Sequence, residues 1–214
     1  NTFFSNIKKL LPGETIIYGV VSKKILTITR ENILPINNHS YNPKEFKQQV
    51  QDAVRRCSIG DKKIGLFLSG GMDSSMISNE LKEIHGEVNS YTNGFDPDPN
   101  IVDEDYNSDS RTAKMLADHA GYNHRQVTIT PEIYLEYWDK SVESFEQLIR
   151  SPSLPANIYT NKVMREDNVK ITMAGDLGDE LLCGYPRQKL IHYFKKQLNK
   201  EKLKLRTGKT FADI

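Results

Sequence analysis

A loop rich in glycine and serine is the segment of this sequence best suited to chemistry. Leu68-Ser69-Gly70-Gly71-Met72-Asp73-Ser74-Ser75 stands between a short apolar run and a segment with helical spacing. Its glycines allow a ligand to approach the backbone closely, its hydroxyls can donate hydrogen bonds, and the following helix would add amino-terminal amides. An aspartate inside such an anion cradle suits Mg²⁺ that bridges phosphates. The alternative, a strand-to-helix turn with serine caps, does not explain three hydroxyls and a carboxylate together.

A second glycine-containing segment carries a cluster of acids. Residues 174–185 read AGDLGDELLCGY and follow another apolar run, with Asp176, Asp179 and Glu180 inside them. Crowded carboxylates repel one another unless they share a cation or a proton, and Mg²⁺ held between Asp73 and Asp179 is the simplest solution. Taken alone, the segment also fits a turn with solvated acids. Ligands of parallel sheets bind beyond the carboxyl ends of the strands, so the pair of segments favours one shared site.

Other nucleotide- and metal-binding patterns fail on particular residues. The nearest match to a Walker A loop, residues 60–65, is followed by Leu66 and Phe67 where lysine and serine or threonine are required. The acidic stretch around residues 96–105 fails as an EF-hand, because Ile101 and Asn107 occupy the glycine and glutamate positions. We interpret it as a mobile loop at the mouth of the site. The serines and the arginine of residues 150–155 suit either a substrate carboxylate or amine, or a plain helix entry.

The elements that would position both loops alternate along the chain. Strand-like runs cover residues 63–68, 88–95, 125–130 and 169–174. Helical spacing covers residues 43–57, 74–85, 108–120, a long stretch from Pro131, and 155–166, and Asn42 and Pro43 supply a cap and a first position. This alternation predicts an α/β fold with a doubly wound parallel sheet. The lysine-rich residues 187–206 are typical of a solvated helix face.

The amino-terminal residues predict a separate small unit. Residues 15–21 and 25–29 are β-branched runs around a short turn, which is typical of a hairpin, and residues 31–42 have the composition of a linker. The first residue is Asn1 rather than methionine, so we expect a processed chain or a fragment.

Composition excludes several functional classes. The 214 residues carry 29 Lys and Arg against 28 Asp and Glu, a net charge of +1, so charge predicts no affinity for nucleic acid or a membrane surface. No run approaches the length of a membrane span. The two cysteines, Cys57 and Cys183, are too few for a disulfide framework and are expected to be small buried side chains in a reducing compartment.

Both loops resemble known motifs. The first resembles the SGGxDS pyrophosphate loop of the PP-loop ATP pyrophosphatases, which leaves NAD synthetase, GMP synthetase, argininosuccinate synthetase and tRNA-modifying enzymes open as relatives. The second resembles the SGEGSDELFGGY segment of glutamine-dependent asparagine synthetases and of β-lactam synthetases. Residues 90–95 resemble the segment that lines the adenine pocket, and residues 6–14 resemble the end of the glutaminase domain of that family. The resemblance implies a hairpin and linker left from a glutaminase-type domain in residues 1–41 and a synthetase domain in residues 42–214.

The resemblance also implies roles for individual residues. The adenosine of ATP would contact Leu68, Asn93, Ala174 and Gly175. Pyrophosphate would be held by Ser69, Gly70, Gly71, Asp73, Ser74 and Ser75, and Mg²⁺ by Asp73 and Asp179. Asp176 stands where the family has the catalytic glutamate. In the family a lysine that stabilises the acyl-adenylate lies beyond the second segment, and the sequence does not choose between Lys189, Lys195 and Lys196.

The implied reaction is adenylation of the aspartate side chain by ATP, followed by amidation with ammonia to give asparagine. The implied partners are these small molecules, a separate glutaminase subunit or domain and a second copy of the chain, with neither nucleic acid nor membrane, in the cytoplasm. Two readings remain beside it: another PP-loop or β-lactam synthetase-like ligase, and an inactive nucleotide-binding relic.

Overall fold

The computed structural model describes residues 2, 4–31, 40–96, 105–147, 151–182 and 184–204. Its elements are, in chain order, β1 Glu14–Gly19, β2 Lys24–Arg30, α1 Pro43–Cys57, β3 Ile64–Phe67, α2 Met72–His85, β4 Asn89–Phe95, α3 Ser108–Ala120, β5 Asn123–Ile129, α4 Pro131–Phe145, α5 Leu154–Glu166, β6 Ile171–Met173, α6 Gly178–Leu182 and α7 Pro186–Lys204. Four parts of these predictions lie outside the described residues: residues 97–104 of the predicted acidic loop at 96–105, most of the predicted linker, Arg150 and Cys183.

The described strands form a two-stranded sheet, β1-β2, and a four-stranded sheet in the order β5-β4-β3-β6. Every pairing in the four-stranded sheet is parallel. The chain runs outward from β3 to β4 and β5, then returns to the other side of β3 with β6. The direction of winding therefore reverses between β3 and β6, which is the place where open α/β sheets bind ligands. The predicted α/β doubly wound parallel sheet is confirmed.

Each face of this sheet carries its own apolar core, as a parallel sheet requires. On one face Leu66 and Leu68 of β3 and its following loop pack with residues of α1, α2 and α3. On the other face Tyr91 and Val127 pack with Ala156, Val163 and Met164 of α5 and its neighbours. Gly65 packs closely on the end of α5 and the residues that follow it, because a Cβ there would lie 2.9 Å from Val169 Cγ1 and 3.4 Å from Met164 Sδ.

Most predicted helix ends are found. The Asn42 side chain accepts a hydrogen bond from the Lys44 amide at 3.1 Å, and Gly121 ends α3 in the left-handed conformation with a φ of 66°. The expectation of a buried Cys57 is wrong, because this cysteine is exposed. The helix α1 packs on α2 with a small part of its surface: among its described residues, Val54 is the only one that is buried.

The predicted hairpin is formed by β1 and β2, which pair antiparallel from Glu14 opposite Arg30 to Gly19 opposite Lys24. Apolar side chains on both of its faces are exposed, among them Ile17, Tyr18, Ile25 and Leu26. Within the described parts of the chain, we find no helix with the length and apolar character needed to cross a membrane.

Candidate active site

The loop between β3 and α2 is held against two neighbouring elements. The Leu68 amide donates to the Tyr91 carbonyl at 2.8 Å and so continues the pairing of β3 with β4. Gly70 has a φ of +76°, and a Cβ on it would lie 2.6 Å from Thr112 Cγ2 and 2.9 Å from the Ala113 amide of α3. Glycine is therefore required at this position for its backbone conformation and for its close approach to α3.

The hydroxyls of the loop stabilise its turn. Ser74 Oγ and Ser75 Oγ donate to the Gly71 carbonyl at 3.2 and 2.7 Å, and the Gly71 amide donates to Ser69 Oγ at 3.2 Å. Within the described residues, no side chain caps the amino terminus of α2, which begins after Gly71. The first amides of this helix and its positive dipole end are therefore available to an anion.

The second predicted segment lies against the first. A Cβ on Gly175 would lie 2.9 Å from Asp73 Cβ and 3.0 Å from the Ser74 amide. A Cβ on Gly178 would lie 2.7 Å from Asp73 Oδ1 and still closer to Oδ2. Two loops that are far apart in sequence thus meet at the carboxyl ends of β3 and β6, with the Asp73 carboxylate between them.

The electrostatics of Asp73 reflect this crowding. Burial raises the pKa of the Asp73 carboxyl, and the neighbouring charges of Asp179 and Glu180 raise that pKa further. In the described part of the chain, no group of three or more His, Cys, Asp or Glu side chains is arranged to hold a metal ion. The predicted pair, Asp73 and Asp179, is brought close enough for the charge of Asp179 to act on Asp73, and carboxylates of this kind are the ligands that Mg²⁺ would require here.

A cavity of about 940 Å³ opens beside both loops. It is lined by these predicted site residues: Leu68, Ser69, Gly71, Asp73, Ser74, Asn93, Ala174, Gly175, Asp176 and Asp179. Two predicted residues, Gly70 and Ser75, are not among its described lining residues: Gly70 packs on α3, and Ser75 Oγ donates to the Gly71 carbonyl of the same loop. Asp176 is exposed in this cavity.

The cavity also contains residues that sequence reasoning did not assign to it. Asn157 and Asn161 of α5 line it, as do Asp109 of α3 and Tyr185. The spacing of the two asparagines, four residues apart in a predicted helix, was the available signal, because it places both on one helix face. Ser153, from the segment considered for substrate contact, also lines the cavity.

The charge of the cavity wall is negative. Its described carboxylates are Asp73, Asp109, Asp176, Asp179 and Glu180, and none of its described residues is lysine or arginine. In particular, Lys189, Lys195 and Lys196 are not among the described lining residues. A hydrogen bond to Glu180 raises the pKa of the Tyr185 hydroxyl, and the Arg187 guanidinium lies 4.3 Å from the centre of the Tyr185 ring. A polyphosphate bound here would need positive charge from an added cation.

Comparison of the sequence with known proteins finds similarity to asparagine synthetases. The family model described as "Asparagine synthase" matches residues 45–210. Asparagine synthetase [glutamine-hydrolyzing] 1 of Bacillus subtilis is 27% identical over 86% of this chain and 28% of its own length. A putative asparagine synthetase of Methanocaldococcus jannaschii is 27% identical over 94% of this chain and 37% of its own length, and the human asparagine synthetase is 23% identical over 86% and 29%. The chain thus spans between a quarter and two fifths of the length of these relatives.

Solved structures show a weaker likeness. An NH3-dependent NAD synthetase from Campylobacter jejuni superposes with a TM-score of 0.45 at 17% identity, covering 68% of this chain and 62% of that one. A U34-tRNA thiolase from Methanococcus maripaludis superposes with a TM-score of 0.44 at 18% identity, covering 64% and 48%.

Proposed function

Because the chain belongs to the asparagine synthase family, we propose that it is an ATP-dependent carbon–nitrogen ligase that adenylates the side-chain carboxylate of aspartate and transfers the acyl group to ammonia. The observation that carries this proposal is the meeting of two loops at the switch point of the sheet. One loop offers helix amides to phosphates, and the other adds carboxylates beside Asp73.

The proposed nucleotide position follows from the chemistry of the two walls. The β- and γ-phosphates of ATP would lie on the loop from Ser69 to Ser75 and on the amino terminus of α2, while Leu68, Asn93, Ala174 and Gly175 would contact the adenosine. Asp73 and Asp179 would hold Mg²⁺, which neutralises phosphate charge when it is bound. The raised pKa of Asp73 and the negative cavity wall support a cation at this point, since an unpaired polyphosphate would be repelled.

The proposed reaction has two steps, adenylation and amidation. An aspartate carboxylate oxygen attacks the α-phosphorus, the bond from that phosphorus to the bridging oxygen breaks, and pyrophosphate leaves. Ammonia then attacks the acyl carbon, the carbon–oxygen bond to AMP breaks, and the nitrogen loses a proton. Asp176, exposed in the cavity on the second loop, would accept this proton as general base. The rest of catalysis is positioning and charge stabilisation.

The proposal includes a nitrogen source outside the described site. Ammonia would come from solution or from a separate glutaminase subunit or domain, in the cytoplasm, and the protein would act as a homodimer. Neither nucleic acid nor a membrane takes part, in agreement with the near-neutral charge of the chain.

A calorimetric and enzymatic experiment tests the proposal. We expect ATP to bind in the presence of Mg²⁺, and pyrophosphate to be released only when aspartate is added, with asparagine formed when ammonium is present. Asp73→Asn should remove pyrophosphate release while the circular dichroism spectrum stays unchanged. Release with a different carboxylate would identify another ligase of this family.

A second candidate is a nucleotide-binding relic without activity. The absence of lysine and arginine from the described cavity wall favours it, as does aspartate rather than glutamate at residue 176. ATP binding without pyrophosphate release, for any carboxylate tested, would support this reading against the ligase.

A further inference from the structure

A chain of side-chain hydrogen bonds leads from the core to the cavity wall. Asn93 lies on β4 between Tyr91 and Phe95, on the face that α5 covers. The hydroxyl of Thr160, which is fully buried in α5, donates to Asn93 Oδ1 at 2.6 Å. Asn93 Nδ2 in turn donates to Asn157 Oδ1 at 2.8 Å. We call these three residues, Thr160, Asn93 and Asn157, the amide relay.

The relay determines which end of the Asn157 side chain is left for a ligand. In the structure Asn93 turns its oxygen toward Thr160 and its nitrogen toward Asn157, and the Asn157 oxygen accepts from that nitrogen. The Asn157 NH₂ group then points away from Asn93. Among the described residues Asn157 Nδ2 has no acceptor, although Asn157 lines the cavity. The relay therefore presents neutral N–H donors at the cavity wall.

We propose that Asn157 Nδ2 recognises the nucleobase by donating a hydrogen bond to a ring nitrogen of adenine. This inference rests on the proposed binding of ATP. The phosphates would lie at the amino terminus of α2, whereas the relay belongs to β4 and α5, which packs on the other face of the sheet. The neighbouring Phe95 and Leu154 offer apolar surface to a purine. A neutral amide suits a neutral ring nitrogen, while a carboxylate ligand would be held more strongly by a cation.

Analogues of ATP that lack one ring nitrogen test the inference first in the wild-type protein. ATP and its 1-deaza, 3-deaza and 7-deaza analogues are compared by calorimetry at saturating Mg²⁺. We expect one analogue to bind roughly five- to tenfold more weakly than ATP, the usual effect of one lost neutral hydrogen bond. If all three analogues bind as tightly as ATP, the inference is overturned without the need for any variant.

Two substitutions then connect that loss to the relay. Asn157→Asp keeps the oxygen that accepts from Asn93 and removes the NH₂ group. Asn93→Asp still accepts from Thr160 but cannot donate, so Asn157 must turn its NH₂ inward and present oxygen to the ligand. Both variants should weaken ATP binding and should bind ATP and the sensitive analogue with equal affinity, because the lost donor and the lost acceptor belong to one hydrogen bond.

Asn161→Asp is the matched control, because it adds the same charge to the same wall outside the relay. It should change the affinity for ATP and for all three analogues by the same factor. A preference for ATP that survives in Asn157→Asp would overturn the inference and leave the proposed function intact. Failure of the wild-type protein to bind ATP would overturn both.

Discussion

Replacement of Gly178 by alanine tests whether the position of the Asp73 carboxylate controls activity. Gly178 is the first residue of α6, and its φ is not positive, so its backbone accepts alanine. Alanine is favoured over glycine in a helix by about 1 kcal/mol, so the substitution should not unfold the protein. The new Cβ, however, would lie 2.7 Å from Asp73 Oδ1 and closer to Oδ2.

The expected magnitude follows from this overlap. Non-bonded heavy atoms rest about 3.5 Å apart, so the carboxylate must move by an amount on the order of 1 Å. A displacement of that size in a reacting site can reduce the rate by about 10²-fold. We therefore expect pyrophosphate release by Gly178→Ala to fall by about 100-fold, while its free energy of unfolding stays within about 1 kcal/mol of wild type.

The assay is pyrophosphate release at saturating ATP, Mg²⁺ and aspartate, with urea unfolding as the measure of stability. Leu181→Ala is the control, because Leu181 lies on the same short helix with an exposed side chain. Leu181→Ala should release pyrophosphate at the wild-type rate. Undiminished activity of Gly178→Ala would refute the reasoning.

Three further outcomes are expected. Asp176→Ala should abolish amide formation and Asp176→Glu should preserve or raise it; equal amide formation by wild type and Asp176→Ala would exclude a catalytic role. Asp167→Asn should lower the free energy of unfolding by about 1 kcal/mol at pH 7, because it removes the negative charge beside Arg125 and one of the two oxygens that accept from Arg125 at 2.6 and 2.8 Å and from the Tyr91 hydroxyl at 3.0 Å. The hydrogen bond from Arg125, and after it that from Tyr91, holds the pKa of the Asp167 carboxyl below its ordinary value. The stability that Asp167 contributes is therefore present above about pH 4 and is lost as the pH falls through the lowered pKa. The difference in unfolding free energy between wild type and Asp167→Asn should shrink in acid. Leu66→Ala should cost about 2–5 kcal/mol of unfolding free energy, because Leu66 is 0% exposed in the core beneath the loop.

The fold was largely predictable because its strands are short apolar runs between well-marked helices. The helix start at Asn42 and the helix end at Gly121 were also predictable, because each depends on the type of a single residue at the helix terminus. The position of β6 beside β3 was expected only from the two loops, since strand order depends on packing rather than on local pattern. The five-residue helix α6 was missed because it is polar at its start and too short to show a period.

The site was predictable where local chemistry dominates and less so where packing does. Glycines and acids after a strand indicate a ligand loop, but the same pattern does not separate Gly71, in the cavity, from Gly70, which packs on α3. The bond between Asn93 and Asn157 joins residues 64 positions apart, so no local spacing predicts it. Cys57 follows the helical period of its neighbours and is exposed, because α1 buries only a narrow line.

The pairing of β3 with β6 also determines when the site can form during folding. Ile64 pairs with Ile171, which closes a loop of roughly a hundred residues, whereas β3, β4 and β5 follow one another with one helix between each pair. During synthesis at the ribosome, the loop of residues 68–75 would therefore emerge and pair with its neighbours well before residues 174–185 leave the exit tunnel. Nucleotide binding that needs both loops would then report the last long-range step of folding.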